Sequence, residues 1–106
     1  MGKYKVYSTA TFDKELSKYD LNFQARVEKI ERQLAENPYA GDQLQYRHLR
    51  EKRIDEKRVY FLVYDTLQAV LMVAISGKKD QQATINHIIR NFDDYQEYLE
   101  QVSKED

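Results

Sequence analysis

Between Arg47 and Tyr64 the sequence RHLREKRIDEKRVYFLVY places a cluster of fixed positive charges in a segment that then turns strongly apolar. Val59 to Tyr64 is rich in β-branched and aromatic residues, holds no Gly or Pro, and is expected as a strand. The mixed residues before it fit a half-exposed strand, and Asp55-Glu56 between the two fits a hairpin turn. With a two-residue loop, Ile54 pairs with Lys57 and Arg53 stands opposite Arg58, two like charges with Cβ atoms about 5 Å apart. An anion held between them would make that pair tolerable. Otherwise the arginines splay into solvent or pair with Glu51 and Asp55. His48 has the ordinary pKa best suited to proton transfer near neutrality, and it also reads as a surface histidine beside arginines. Tyr60 and Tyr64 read as strand residues packed against a helix as well as they read as acids.

The net charge of −1 conceals a division along the chain. Residues 1–43 carry seven basic and seven acidic side chains, residues 44–79 eight against four, and residues 80–106 two against seven. A basic middle followed by an acidic tail points to an anion-binding surface and a tail that covers it or competes for it; the alternative is that each segment's charges merely solvate it. At 106 residues, 42% apolar and 33% charged with one Pro and three Gly, the chain is expected to form one compact domain. The lack of Cys removes disulfides and thiolate ligands, and two distant histidines give no metal-ligand spacing, so no cofactor is expected. There is no Gly-rich phosphate loop and no Ser-centred nucleophile motif. Met1 to Ala10 lacks the apolar core of a signal peptide, and no run approaches the roughly 20 residues that span a bilayer, so a cytoplasmic protein is expected.

The elements that position the charged segment follow from periodicity. Lys3 to Ser8 alternates polar and apolar residues, predicting a strand with Tyr4 and Val6 on one face. Thr9 or Thr11 can cap a short helix through Leu16, with Phe12 and Leu16 buried and Asp13 and Glu15 in the first turn. Phe23, Val27, Ile30 and Leu34 mark a second helix over about 21–36, stopped by Asn37-Pro38 and antiparallel to the first. Three strands are predicted over about 46–54, 58–65 and 69–76, forming an antiparallel meander with turns at Asp55-Glu56 and Thr66-Leu67-Gln68. The last two are apolar on both faces and should be central. The helices are expected on one side. From Asp80 onward, Ile85, Ile88, Ile89, Phe92, Tyr95, Leu99 and Val102 predict a long helix, interrupted near Asn91-Phe92-Asp93 where Asn91 or Asp93 could cap a second piece. The fold class is α+β, in the order β-α-α-β-β-β-α.

Several stretches together resemble toxins of the RelE/ParE superfamily, the toxic partners of type II toxin-antitoxin modules. Tyr7, Thr9, Phe12, Lys14 and Leu16 resemble the family opening. Asn37-Pro38-Tyr39-Ala40-Gly41-Asp42, followed by Leu44 and Leu49, resembles the segment leading from the helical pair into the sheet. Lys52-Arg53-Ile54-Asp55-Glu56-Lys57-Arg58-Val59-Tyr60-Phe61 resembles the arginine, turn, arginine, valine pattern of the strands that follow. The resemblance implies a twisted antiparallel sheet against an N-terminal helical hairpin, formed by residues 1–106 as a single domain with 80–106 as an acidic helical extension.

RelE-like members of that superfamily are often metal-independent endoribonucleases that cut mRNA on the ribosome; ParE-like members inhibit DNA gyrase without cleaving it. In the first chemistry the ribose 2′-hydroxyl attacks its own phosphate, and the protein supplies an acid, a base and cations for the more highly charged phosphorane. By position, Arg58 matches the arginine at the start of the family's third strand, Arg53 the basic residue before the turn, and Lys78 or Lys79 the basic residue after the fourth strand. The resemblance therefore assigns Arg53, Arg58 and Lys79 to the scissile phosphate, with Arg50, Lys52 and Lys78 as further RNA-phosphate contacts. It also implies a cognate antitoxin and mRNA on the ribosome as partners.

The chain departs from the pattern after Lys79, where RelE-like nucleases often carry a Tyr or His and this sequence has Asp80, Gln81, Gln82, Ala83, Thr84 and Ile85. His48, Lys52 and Tyr60 are the nearest substitutes. The missing residue leaves open a ParE-like toxin acting on gyrase or another protein, and the acidic tail leaves open an inactive RelE-like binding module. The charge division also raises the expectation that the tail screens the basic face. Arg58 is expected at a solvent-facing strand end, replaceable without loss of the fold.

Overall fold

The computed structural model describes residues 3–105. Strand β1 (Lys5–Ser8) leads into helices α1 (Ala10–Leu16) and α2 (Leu21–Glu36), then a two-residue strand β2 (Asp42–Gln43). Strands β3 (Leu49–Ile54), β4 (Lys57–Tyr64) and β5 (Ala69–Gly77) follow, and a 3₁₀ turn over Lys78–Asp80 opens into α3 (Gln81–Arg90) and α4 (Phe92–Lys104). The sheet order is β1-β5-β4-β3-β2, so the expected meander β3-β4-β5 is present and its two apolar strands are interior. The sheet is mixed, because β1 lies parallel to β5 with Lys5 beside Ala69 and Ser8 beside Met72.

Local chemistry sets the ends of these elements. Thr9 caps α1 by accepting the Phe12 amide, and Asp20 caps α2 by accepting the Phe23 amide. β1 starts at Lys5 because the amides of Lys3 and Tyr4 are taken by the Ala35 carbonyl at the end of α2. β3 begins at Leu49, later than the predicted 46, because the Leu49 amide turns back onto the Tyr46 carbonyl at 3.0 Å. The break between α3 and α4 falls at Asn91, whose side chain donates to the His87 carbonyl at 2.8 Å and caps neither helix end by a side-chain bond to an amide.

The helices cover both faces of the sheet, which corrects the expectation of one. On the first face Phe12 of α1 and Val27 and Leu34 of α2 pack on Ile54, Val59, Phe61, Val63, Val70 and Met72. On the second, Ile85 and Ile88 of α3 and Leu99 of α4 pack on Leu49, Tyr60, Leu62, Leu71 and Val73. Alternation along β4 explains this division: its even-numbered side chains face α3 and α4 and its odd-numbered ones face α1 and α2. The purely apolar runs of β4 and β5 thus need cover on each side. Gly41 sits where a Cβ would fall 2.6 Å from the Glu51 carbonyl oxygen and 2.7 Å from the Phe61 ring, so the loop before β2 can lie against β3 only without a side chain there.

The β4–β5 ladder contains a bulge. Tyr60 pairs with Ala74 and Phe61 with Met72, leaving Val73 without a partner in β4. The extra residue reverses the alternation of β5 beyond it. Ser76 would otherwise share a face with Met72; it lies instead beside Tyr60, whose hydroxyl is 2.9 Å from Ser76 Oγ.

At the far end of β4, Asp65 gathers the loops. It accepts from the Tyr4 hydroxyl at 2.8 Å and from the Tyr39 hydroxyl at 2.7 Å, and Arg47 lies 3.5 Å away. The hydrogen bond from Tyr39, and then that from Tyr4, hold its carboxyl below the ordinary range. Asp65 should therefore favour the fold above the unfolded carboxylate pKa near 4, a contribution that disappears as pH falls through the lower folded value. Because the side chain is half exposed, the effect should not exceed about 1 kcal/mol. Unfolding midpoints recorded between pH 7 and pH 2 should fall further in the natural chain than in Asp65→Asn; parallel curves would contradict this. Leu99→Ala should lose about 2–5 kcal/mol in urea unfolding, since Leu99 is fully buried and ties α4 to the second core. A loss below about 1 kcal/mol would mean that α4 is only loosely attached.

Candidate functional site

The β3–β4 hairpin closes over Asp55 and Glu56, with Ile54 opposite Lys57 and Arg53 opposite Arg58 as the sequence predicts. Asp55 takes a φ of 56°, a left-handed conformation that Asp tolerates better than most residues. Its carboxylate is pinned from α2 by Arg26 at 2.7 Å. The turn thus stands beside the end of β5, and the space between them is a cleft of about 590 Å³. Arg53, Lys57, Arg58, Lys78 and Lys79 line it, together with Asp55, Glu56 and Asp80. Five cations against three carboxylates, one of them held by Arg26, leave the cleft positive. Among the described residues, the side chains of Arg53, Lys78 and Lys79 make no hydrogen bond or ion pair, so their charge is available to a ligand.

Arg58 behaves differently from the expected exposed strand end. It is only 6% exposed, and its Nε lies 3.8 Å from Glu51 Oε1, itself on a residue 4% exposed. Glu51 reaches it because residues 51 and 53 share a face of β3 with Arg58 opposite Arg53. Asp55 pairs with Arg26, leaving Arg53 without that partner. The like-charge pair at the hairpin end is therefore relieved from beneath, on the Arg58 side, by a buried carboxylate.

The other residues singled out in the sequence are dispersed. Tyr60 lies on the same face as Arg58 but is fully buried, with its hydroxyl on Ser76 and its pKa raised chiefly by burial. It does not line the cleft. His48 precedes β3, at the opposite end from Arg53 and roughly 16 Å away at about 3.3 Å per residue. There it packs among the rings of Tyr46, Tyr64 and Phe92, and burial lowers its pKa. Lys52 pairs with Val59, whose side chain is in the first core, and so lies on the opposite face from Arg53. Arg50 shares that other face and is spent on the loop before β2: its guanidinium donates to the carbonyls of Tyr39, Gly41 and Arg47 and lies over the Tyr39 ring. Lys57, which the sequence reading passed over, lines the cleft; its place directly after the turn was the available signal. Glu51 was named only as one possible counter-ion, because alternation alone does not reveal that α3 would seal it in.

The acidic terminal helix does not lie over the cleft. No residue of α4 lines it. α3 runs back from Asp80 across the second face, Phe92 at the start of α4 stacks near His48, and the Tyr98 hydroxyl donates to the Ser8 carbonyl. The expectation that the tail screens the basic face is thus overturned for α4, whose acidic side chains belong to the other end of the sheet; among the described acidic residues of 80–106, Asp80 alone lines the cleft. Among the described residues no group of three or more His, Cys, Asp or Glu is placed to hold a metal ion, and no helix is long and apolar enough to cross a membrane.

No family model matches the sequence, and no characterised protein matches it at the level of sequence. Solved structures do match. A double arginine-to-alanine mutant of the E. coli toxin RelE in the free state superposes with a TM-score of 0.72 at 16% identity, over 86% of this chain and 98% of that one. The chain has the RelE-like toxin fold. The toxin-antitoxin complex RelBE2 of Mycobacterium tuberculosis gives 0.61 at 22% identity, covering 74% of this chain and 94% of that chain. The archaeal RelE-RelB complex of Pyrococcus horikoshii gives 0.65 at 15% identity, covering 72% and 96%. The RelE-like fold therefore accounts for nearly the whole of each matched chain, and for between 72% and 86% of this one.

Arg58→Ala should destabilise the protein by about 3 kcal/mol, because it strands the buried Glu51 carboxylate, whereas Arg53→Ala should change stability by less than about 0.5 kcal/mol. Urea unfolding of the two variants side by side would show the difference, and equal stabilities would mean that the Glu51–Arg58 contact contributes nothing.

Proposed function

We propose that this chain is the toxin of a type II toxin-antitoxin module and a metal-independent endoribonuclease that cleaves mRNA on the ribosome. The observation that carries the reading is the convergence of Arg53, Arg58, Lys78 and Lys79 on one cleft at the end of a RelE-like sheet. In this reaction the 2′-oxygen forms a bond to phosphorus as its proton leaves, the bond from phosphorus to the 5′-oxygen breaks, and that oxygen takes up a proton. The products are a 2′,3′-cyclic phosphate and a 5′-hydroxyl. Negative charge on the non-bridging oxygens rises on the way to the phosphorane, and fixed cations aimed there lower the barrier. Arginine suits the role because its planar fork can hold two phosphate oxygens and stays charged at every relevant pH. RelE is found with RelB in the matched complexes, and a partner of that kind, with acidic groups toward the cleft, is the antitoxin we expect here. An intracellular, cytoplasmic site of action follows from the ribosomal substrate.

A second reading is supported by a specific feature: neither imidazole nor an exposed phenol lines the cleft, so no side chain with an ordinary pKa near neutrality stands beside the cations. On that reading the cleft binds an acidic surface of gyrase or another protein without cleaving anything. Induced expression followed by primer extension on cellular mRNA separates the two. Growth arrest with cuts in phase with codons, reduced about a hundredfold in Arg53→Ala, is the expected result. Arrest without cuts would transfer the assignment to a protein target, and absence of arrest in a chain shown to be folded would make it an inactive relative.

A further inference from the structure

The cleft cations differ in how they are held. Arg53, Lys78 and Lys79 stand free, whereas Arg58 is almost wholly buried with a carboxylate beside it. Glu51 does not line the cleft, so it is not placed to touch a phosphate. Its Oε1 accepts from Gln81 Nε2 at 3.3 Å, and Gln81 is the first residue of α3, which arrives from the other side of the cleft after Lys78–Asp80. The carboxylate is thus tied at once to the sheet and to the helix that follows the cleft lysines.

We propose that Glu51 is a positioning residue for Arg58, and that Gln81 fixes Glu51 in turn, setting the angle at which the Arg58 guanidinium meets an RNA phosphate. The inference rests on reading the cleft as an RNA-phosphate site. Three observations support it. First, Arg53 and Arg58 are cross-strand neighbours, and repulsion alone would drive their guanidinium groups apart; a carboxylate two residues before Arg53 on the same face counters that and retains Arg58 beside its neighbour. Second, the contact is an ion pair without a hydrogen bond. At 3.8 Å from Oε1, Arg58 Nε is buried and has no hydrogen-bond partner, so the carboxylate steers the group by charge without occupying its donors. Third, the neighbouring strand is fixed independently: Ser76, the register partner of Arg58 on β5, is hydrogen-bonded to Tyr60, which shares a face of β4 with Arg58. Arg58 therefore stands between Ser76 on β5 and Glu51 on β3, and the part of it that is exposed lines the cleft.

The test uses the full chain and a short single-stranded RNA oligonucleotide. Two quantities are measured: the affinity for that RNA, and the ¹⁵N-edited NMR signal of the Arg58 Nε–H, identified by its loss in Arg58→Lys. In the natural chain the Arg58 signal should be single and should shift on RNA addition. In Glu51→Gln the signal should broaden and RNA affinity should fall about tenfold, because a group misplaced by an ångström loses much of its interaction. Gln81→Ala retains the ion pair and should weaken binding about threefold. A purely structural role for Glu51 would lower the unfolding midpoint while leaving both quantities unchanged in the folded protein, and that result overturns the proposal. If Glu51→Gln does not fold, Gln81→Ala decides, and unchanged affinity with an unchanged Arg58 signal again overturns it. Failure of the natural chain to bind RNA would overturn the RNA reading of the cleft. The Arg58 signal compared across the variants would then still show whether Glu51 orders that side chain.

Discussion

The two-residue turn at Asp55-Glu56 fixes the register of β3 on β4, and with it the face on which every side chain of the two strands points. Strands covered on both faces have no neutral register. A one-residue slip of β4 would carry Arg58 into the first core, beneath α1 and α2 and beside Met72, and turn Val59 to the cleft face. The turn is held by two things that a generic hairpin lacks: a non-glycine residue at positive φ, and a bond from Arg26 that ties that same residue to α2. Asp is suited to both, since its short side chain tolerates the left-handed conformation and its charge meets the arginine. The helical side of the fold is thereby linked to the turn by an exposed ion pair.

From that register follow the bulge and the buried pair. The unpartnered Val73 allows β5 to contribute apolar side chains to both cores and then, four residues beyond Met72, to turn Ser76 toward Tyr60. Without it Tyr60 would have no hydroxyl partner, and a fully buried phenol without one is destabilising. The molecule does contain such a group elsewhere: the Tyr64 hydroxyl is buried without a partner, and burial pushes its pKa up to about 12. On the face covered by α3 and α4, the phenol nearer the cleft is thus partnered, and the one at the His48 end is packed among rings.

Most of the fold was legible because its signals are local. The helix over 21–36 follows from a four, three, four spacing and a cap, and the register of the hairpin follows from turn length alone. The facing arginines could be deduced for the same reason. What the sequence could not show depends on which element covers which face. The apolar runs of β4 and β5 announced cover on both sides, yet nothing local says that the terminal helices supply the second layer. The burial of Arg58, the sealing of Glu51 by Gln81, and the displacement of the acidic tail to the far end all follow from that one placement. His48 and Arg50 illustrate the converse error. Each lies within a few residues of the cleft cations in sequence, but strand length carries one away and strand alternation turns the other to the opposite face.

The energetic character of the cleft also bears on how it can work. An arginine buried beside a carboxylate is costly to desolvate, and replacing such a pair with apolar side chains is often neutral or stabilising. Stability is therefore a poor reason for Glu51 and Arg58 to be where they are. Orientation is a better one. Three free cations provide attraction from a distance, which depends on salt and hardly on geometry. On the proposed reading a fourth, buried beside Glu51, provides a fixed point against which a phosphate can be aligned. Catalysis by charge needs the second kind more than the first, because only cations already in place when negative charge develops lower a barrier without reorganising. A cleft intended only to hold an acidic protein surface would be served as well by mobile lysines at its rim. The combination of free and anchored cations is thus the feature on which the proposed phosphate chemistry, as against simple adhesion, depends.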